Sequence, residues 1–179
     1  MKNNNSRRAP ACLLAACLML PGLAQAGDHV SGDWSWNVDD PEIFVAGIEN
    51  SAGHMLAQFC DPESTNCFYA VGFGLKCEPG HQYPVLVNAD TGSAQLEFIC
   101  GDRIGDQNVL VASDFDAMDD VVRSANKVGF AIPLEGDDFK AVRFSLNGSN
   151  EALDAMREAL LVVSNYRPAS AKKPDEERF

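Results

Sequence analysis

An even set of four cysteines, Cys60, Cys67, Cys77 and Cys100, does most to narrow the folds open to this chain, because it remains after the removal of an export leader. Lys2, Arg7 and Arg8 precede an apolar run from Ala9 to Leu20. Pro21, Gly22 and the small-residue triplet Ala24, Gln25, Ala26 follow, completing the three-part layout of a secretory signal peptide. Cleavage is expected after Ala26, so that residues 1–26 leave together with Cys12 and Cys17. The apolar run is too short to span a bilayer, which takes about 20 residues, and no later segment offers a transmembrane candidate. Leu14, Ala15, Ala16, Cys17 also has the form of a lipobox that would acylate Cys17, but the residues after it stay apolar and a better cleavage site follows. The expected location is the periplasm of a Gram-negative bacterium or the exterior. Thiols oxidise there, so the four cysteines read as two disulfides.

Four cysteines allow three connectivities. Cys60 and Cys67 bracket the polar segment Asp61, Pro62, Glu63, Ser64, Thr65, Asn66, and joining them closes a small loop between adjacent strands. Cys77 then reaches Cys100 if the next hairpin turns near Asp90.

The rest of the pattern supports an α+β domain, mostly β: an antiparallel sheet or sandwich braced by disulfides, with two helices in the C-terminal half. From Gly32 to Val111, short apolar stretches alternate with turn chemistry and show no helical period. Trp34–Val38, Ile43–Ile48, His54–Cys60, Cys67–Phe73, Tyr83–Val87 and Gln95–Cys100 read as strands, with Asn50–Gly53 and Ala89–Gly92 as turns. At Ser113 the period changes. Ser113 or Asp114 can cap a helix with Asp116 and Asp119 at its positive end and Phe115, Met118, Val122 and Ala125 on its buried face. Val128–Leu134 and Val142–Leu146 alternate as a hairpin, and Gly148 and Ser149 then cap a second helix with the stripe Leu153, Met156, Leu160, Val163. One globular domain over 27–165 and a flexible charged tail over 166–179 are expected.

The stretch from Tyr83 to Leu160 resembles the bacterial invasion-associated locus B family in its order of elements: a hairpin ending in a cysteine, a helix, a strand, then a final strand leading into a helix. The most specific piece is Phe144, Ser145, Leu146, Asn147, Gly148, Ser149, Asn150, Glu151, Ala152, Leu153, similar to that family's strand, glycine and Ala-Leu helix start. It departs at Ser149, where the family usually has an aromatic residue. The resemblance implies an exported, non-enzymatic, largely β envelope protein linked to host interaction. It transfers no catalytic or binding residue.

Charge narrows the partners. The leader carries three of the 14 basic residues and none of the 26 acidic ones, so the mature chain has a net charge of −15. Such a surface repels phosphate, which excludes nucleic acid and disfavours an anionic membrane face. An excess of one sign serves solubility by itself; the functional reading is steering towards a protein partner with a basic surface.

No motif supplies a cofactor, metal or catalytic centre. Asp114, Asp116, Asp119 and Asp120 lack the glycine and the closing glutamate of a calcium loop, and capping and solvation explain them better. His29, His54 and His81 are too dispersed for a zinc motif and read as surface residues; no Gly-x-Ser-x-Gly elbow and no Cys-x-x-Cys pair occurs. Trp34 and Trp36 share a parity and are expected in the core. Asn147, Gly148, Ser149 spells a glycosylation acceptor but serves better as a strand-to-helix turn. The function expected is that of a non-catalytic protein-binding protein. The alternative is an inhibitor or immunity protein that blocks a cationic enzyme through the Cys60–Cys67 loop, with Asp61, Glu63 and Asn66 as contact residues; an envelope hydrolase is a weaker third. The oligomeric state is left open.

Overall fold

The computed structural model describes residues 29–104, 107–134 and 138–166; the leader expected over 1–26 and the tail expected from residue 167 onward lie outside the described residues. Twelve elements follow in chain order: β1 (His29–Ser31), β2 (Trp34–Asn37), β3 (Phe44–Glu49), β4 (Met55–Cys60), β5 (Cys67–Gly72), β6 (Gln82–Ala89), β7 (Gly92–Ile104), β8 (Gln107–Ala112), α1 (Phe115–Ser124), β9 (Lys127–Pro133), β10 (Phe139–Ser145) and α2 (Ser149–Tyr166). The fold is α+β and mostly β, as the alternating pattern requires.

The strands form one antiparallel sheet in the order β1-β2-β3-β4-β5-β8-β7-β6-β9-β10. The first five follow one another as a meander. The chain then skips two places to lay down β6, returns through β7 and β8 to pair with β5, and crosses by α1 to set β9 beside β6. Asp90 and Thr91 form the tight turn between β6 and β7, whose register pairs Ala89 with Gly92.

Period-two alternation sends one set of side chains to a common core. Phe44, Leu56, Tyr69, Val71, Phe98, Phe130 and Phe144 are buried there, and Phe73, Phe98 and Phe144 each meet the Phe130 ring with centroids 6.4, 6.2 and 6.0 Å away. Contact of residues so distant in strand order requires the sheet to curl, and the curl brings its two ends together. Trp34 Nε1 donates to the Ser145 carbonyl at 3.0 Å, the Asp33 amide to the Asn147 carbonyl at 2.9 Å, and Ser145 Oγ to Asp33 Oδ2 at 2.6 Å.

Both helices pack on this inner face. Asp114 caps α1 by accepting from the Ala117 amide, and Met118 and Val122 are buried. On α2 the buried stripe is Leu153, Met156 and Leu160. Val163, expected to continue it, is 42% exposed, and Leu161, Val162 and Tyr166 are exposed with it. The 18-residue helix is about 27 Å long and outruns the β1–β3 surface on which it rests. Ser149 does not act as a simple cap: it is buried, and its Oγ donates to the Val122 carbonyl at 3.0 Å, tying the start of α2 to α1.

Two disulfides brace the sheet. Cys60 and Cys67 are register partners with Cα atoms 4.1 Å apart, and Cys77 joins Cys100 of β7 across 5.9 Å. The loop entropy removed from the unfolded chain grows with sequence separation, here 23 residues against 7. Removal of Cys77–Cys100 by paired serine substitution is therefore expected to cost about 3 kcal/mol, and removal of Cys60–Cys67 about 2 kcal/mol. Urea denaturation of the two variants measures the order, and a larger loss from Cys60–Cys67 would contradict it.

Candidate protein-binding surface

The loop closed by Cys60 and Cys67 is held from inside as well as at its base. The Asp61 amide donates to the Asn66 carbonyl at 2.9 Å and the Thr65 amide to the Asp61 carbonyl at 2.8 Å. The Asp61 carboxylate accepts from the Glu63 amide at 2.7 Å and from Ser64 Oγ at 2.7 Å. Thr65 takes the left-handed conformation with φ 58°, which completes the turn. Pro62 is buried, while Glu63, Ser64, Thr65 and Asn66 are exposed. Of the three expected contact residues, Asp61 is thus a structural brace of the loop, whereas Glu63 and Asn66 stand on its outer surface.

Strand register places a second acidic loop at the same end. Phe44 pairs with Cys60, so the β2–β3 connection, with Asp39, Asp40 and Glu42 exposed, runs beside the disulfide loop. Its turn is self-capped: the Asp39 amide donates to Asn37 Oδ1 and the Glu42 amide to Asp40 Oδ1. No Lys or Arg occurs between His29 and Leu75, so no cation from these strands offsets the acids.

On β4 and β5 the outer face is apolar, while β2 and β3 add Ser35, Asn37 and Glu49 to it. Phe59 and Phe68 stack with centroids 5.4 Å apart beside the disulfide loop, and Phe68 is 36% exposed. Next to this pair lies an open groove of 190 Å³ lined by Trp36, Val45, Gly47, Met55, Ala57 and Phe59. A second depression, of 270 Å³, lies over Gly129 between Lys127 and Arg143. Both fall below the roughly 300–1,000 Å³ usual for small-molecule sites, so neither is shaped for an enclosed cofactor.

The two tryptophans part company. Trp34 is fully buried at the seam, whereas Trp36 is half-buried, stacked on His29 at 5.0 Å, and helps wall the groove. His29 is exposed, as expected of a surface histidine, though its ring stacks on Trp36; His54 departs from that expectation, being half-buried with its Nδ1 enclosed and unpaired. Burial, assisted by the Lys140 charge, pushes the His54 imidazole below its ordinary value. His81 is exposed and lies 3.1 Å from Glu78. Among the described residues no group of three or more His, Cys, Asp or Glu could hold a metal ion.

One cluster was not anticipated. Asp116 lies in the first turn of α1 as expected, but Asp119 turns inward instead of serving the helix dipole. It accepts from Tyr69 Oη at 2.7 Å, pairs with Arg157, and lies 3.2 Å from Arg123 Nε. Arg157 also donates to Gln58 Oε1 at 2.9 Å and sits over the Phe115 ring. Burial raises the Asp119 carboxyl, but the hydrogen bonds from Arg157 and Tyr69 and both guanidinium charges outweigh it and hold the group below the usual carboxylate range. The phenol of Tyr69 is pushed well up, by burial first and by Asp119 second. These groups tie β4 and β5 to α1 and α2; within the cluster Gln58 Nε2 is buried without a hydrogen-bond partner.

What the fold and surface define is a disulfide-braced, curled antiparallel sheet closed by two helices, with an acidic, loop-bearing end. No family model matches the sequence, and no curated protein matches it. The solved structure of invasion associated protein B from Bartonella henselae superimposes with a TM-score of 0.54 at 15% sequence identity, covering 77% of this chain and 98% of that one. At that identity the likeness is one of fold. It reaches beyond the Tyr83–Leu160 stretch on which the sequence resemblance rests, and takes in strands from the first half. Among the described residues no helix is long and apolar enough to cross a membrane.

Proposed function

We propose that this protein is an exported, non-catalytic protein-binding module that meets a basic partner surface with the end of the sheet carrying the Cys60–Cys67 loop. The observation that carries this reading is the double bracing of that loop, by the disulfide at its base and the Asp61 carboxylate within. A loop already fixed loses little conformational freedom on binding, so more of its contact energy appears as affinity. The same rigidity favours a second reading, an inhibitor or immunity protein that inserts the loop into a cationic enzyme.

The test is capture of a partner from an envelope extract with the exported protein, followed by binding kinetics over a range of salt. Association is expected to slow as salt rises, because a Debye length of about 8 Å at physiological ionic strength screens exposed charges. The paired variant Glu63→Gln, Asn66→Ala leaves the Asp61 brace in place. It is expected to slow association if the acidic surface steers diffusely, and to speed dissociation if the loop is inserted as an inhibitor's probe. A partner whose kinetics ignore both salt and the paired variant would overturn both readings.

A further inference from the structure

The composition of β4 and β5 departs from that of a strand with one wet face. Met55, Leu56, Ala57, Phe59 and Phe68, Tyr69, Ala70, Val71 are apolar in both parities, whereas an antiparallel strand with a solvated side alternates apolar with polar. Leu56, Tyr69 and Val71 enter the core. Ala57, Phe59, Phe68 and Ala70 take the opposite face, on which neither helix packs, since the buried stripes of α1 and α2 belong to the core cluster.

Register arranges this face as a trough across the strands. Ser35 pairs with Gly47 and Gly47 with Ala57, a floor of small residues that the groove lines; Ala70, the partner of Ala57 on β5, is fully buried and takes no part in the open floor. On the side of the disulfide loop, Val45 pairs with Phe59 and Phe59 with Phe68, forming a higher wall; on the other side stand Glu49 and Met55. The floor is low at Gly47 because the strands approach closely there, and a Cβ on Gly47 would lie 2.5 Å from that of Ala57. Beyond the Val45–Phe59–Phe68 wall lie the exposed acids Asp39, Asp40 and Glu42, in the stretch that contains neither Lys nor Arg.

We infer that this trough seats a cationic amphipathic segment of the protein partner, with apolar side chains on the Gly47–Ala57 floor against Val45, Met55 and Phe59, and Lys or Arg side chains reaching over the wall to Asp39, Asp40 and Glu42. The inference rests on the protein-binding reading above and specifies the chemistry of the partner. Charge complementarity selects the occupant: an anionic segment would be repelled by the rim, and a purely polar cationic one would leave the floor wet.

The test uses the exported protein and three synthetic peptides of equal length: alternating Lys and Leu, alternating Lys and Ser, and alternating Glu and Leu. The Lys/Leu peptide is expected to bind, the Lys/Ser peptide about tenfold or more weakly, and the Glu/Leu peptide not at all. Val45→Lys puts a cation on the wall and is expected to weaken Lys/Leu binding at least about tenfold. The triple variant Asp39→Asn, Asp40→Asn, Glu42→Gln changes only exposed side chains, so it retains the fold should Val45→Lys fail to, and the same loss is expected of it. Equal binding of the Lys/Leu and Lys/Ser peptides overturns the apolar floor, and indifference to the triple variant overturns the rim. Self-association that Val45→Lys abolishes would make a second copy the occupant, and tighter Lys/Leu binding after truncation at Tyr166 would make it the chain's own tail; either overturns the inference. A captured partner that is sensitive to Glu63→Gln, Asn66→Ala but indifferent to Val45→Lys overturns the trough alone and leaves the loop reading standing.

Discussion

Alanine at Gly148 is expected to destabilise the protein by about 4 kcal/mol, a large fraction of the stability of a domain this size. Gly148 holds φ +87°, a conformation that costs an L side chain roughly 1–2 kcal/mol. The larger cost is steric, because the added Cβ would fall within the carbonyl of Ser31, a backbone group that cannot rotate aside. Opposite it, Gly32 holds φ +56° against the carbonyl of Asn147, so the two glycines let the β1–β2 turn and the β10–α2 turn lie backbone to backbone. Relief of the clash would pull β1 away and break the Asp33–Asn147 and Trp34–Ser145 hydrogen bonds that close the sheet. Urea denaturation should show a lower midpoint. A change smaller than about 1 kcal/mol would show that the seam is not a tight contact.

The second large effect is expected at Asp119. Replacement by alanine leaves Arg157 and Arg123 without their shared carboxylate and the buried Tyr69 hydroxyl without its acceptor, at a cost of about 3–4 kcal/mol, moderated by the partial exposure of both arginines. Arg157→Met alone leaves the Asp119 carboxylate with Tyr69 and Arg123 only, and removes the donor to Gln58 Oε1. The double variant Asp119→Ala, Arg157→Met is expected to cost less than the two single losses added together, because it removes both members of the pair. The pH dependence has a definite sign. The folded Asp119 carboxyl titrates below its unfolded value of about 3.9, so its stabilisation is complete above that pH and is lost as pH falls through the folded value. The raised Tyr69 phenol acts at the other end: stability is retained below an unfolded value of about 10 and declines as pH rises above it. Asp119→Asn should flatten the acid limb; an unchanged acid limb would show that the cluster does not couple to folding.

Alternation in Trp34–Val38, Ile43–Ile48 and Val128–Leu134 identified the strands because a half-buried strand reports its two faces directly in its polarity. The helix starting near Asp114 was legible for a similar reason, since a capping side chain acts on amides only a few residues away. The trough was harder to read. Its signal, apolar residues in both parities of β4 and β5, is present in the sequence, but it indicates a covered or sticky outer face without saying which residues meet across it. Asp119 was misread as a dipole charge because sequence spacing puts it near the start of α1, while its partners Tyr69 and Arg157 lie 50 and 38 residues away. Val163 continued a sound helical period, but periodicity does not reveal where the supporting sheet ends.

The sequence by itself determined the local elements, an even cysteine count that reads as two disulfides, the acidity of the first half and the absence of cations from His29 to Leu75, because each depends on residues near one another along the chain or on composition alone. Only the tertiary structure decided that β6 and β7 intervene between β8 and β9, that the ends of the sheet meet at Gly32 and Gly148, and that Gly47, Ala57 and Ala70 fall in one row beside an acidic rim. These are matters of register and curl. They follow from how one shared core is filled by strands far apart in the chain, and no local pattern carries that information.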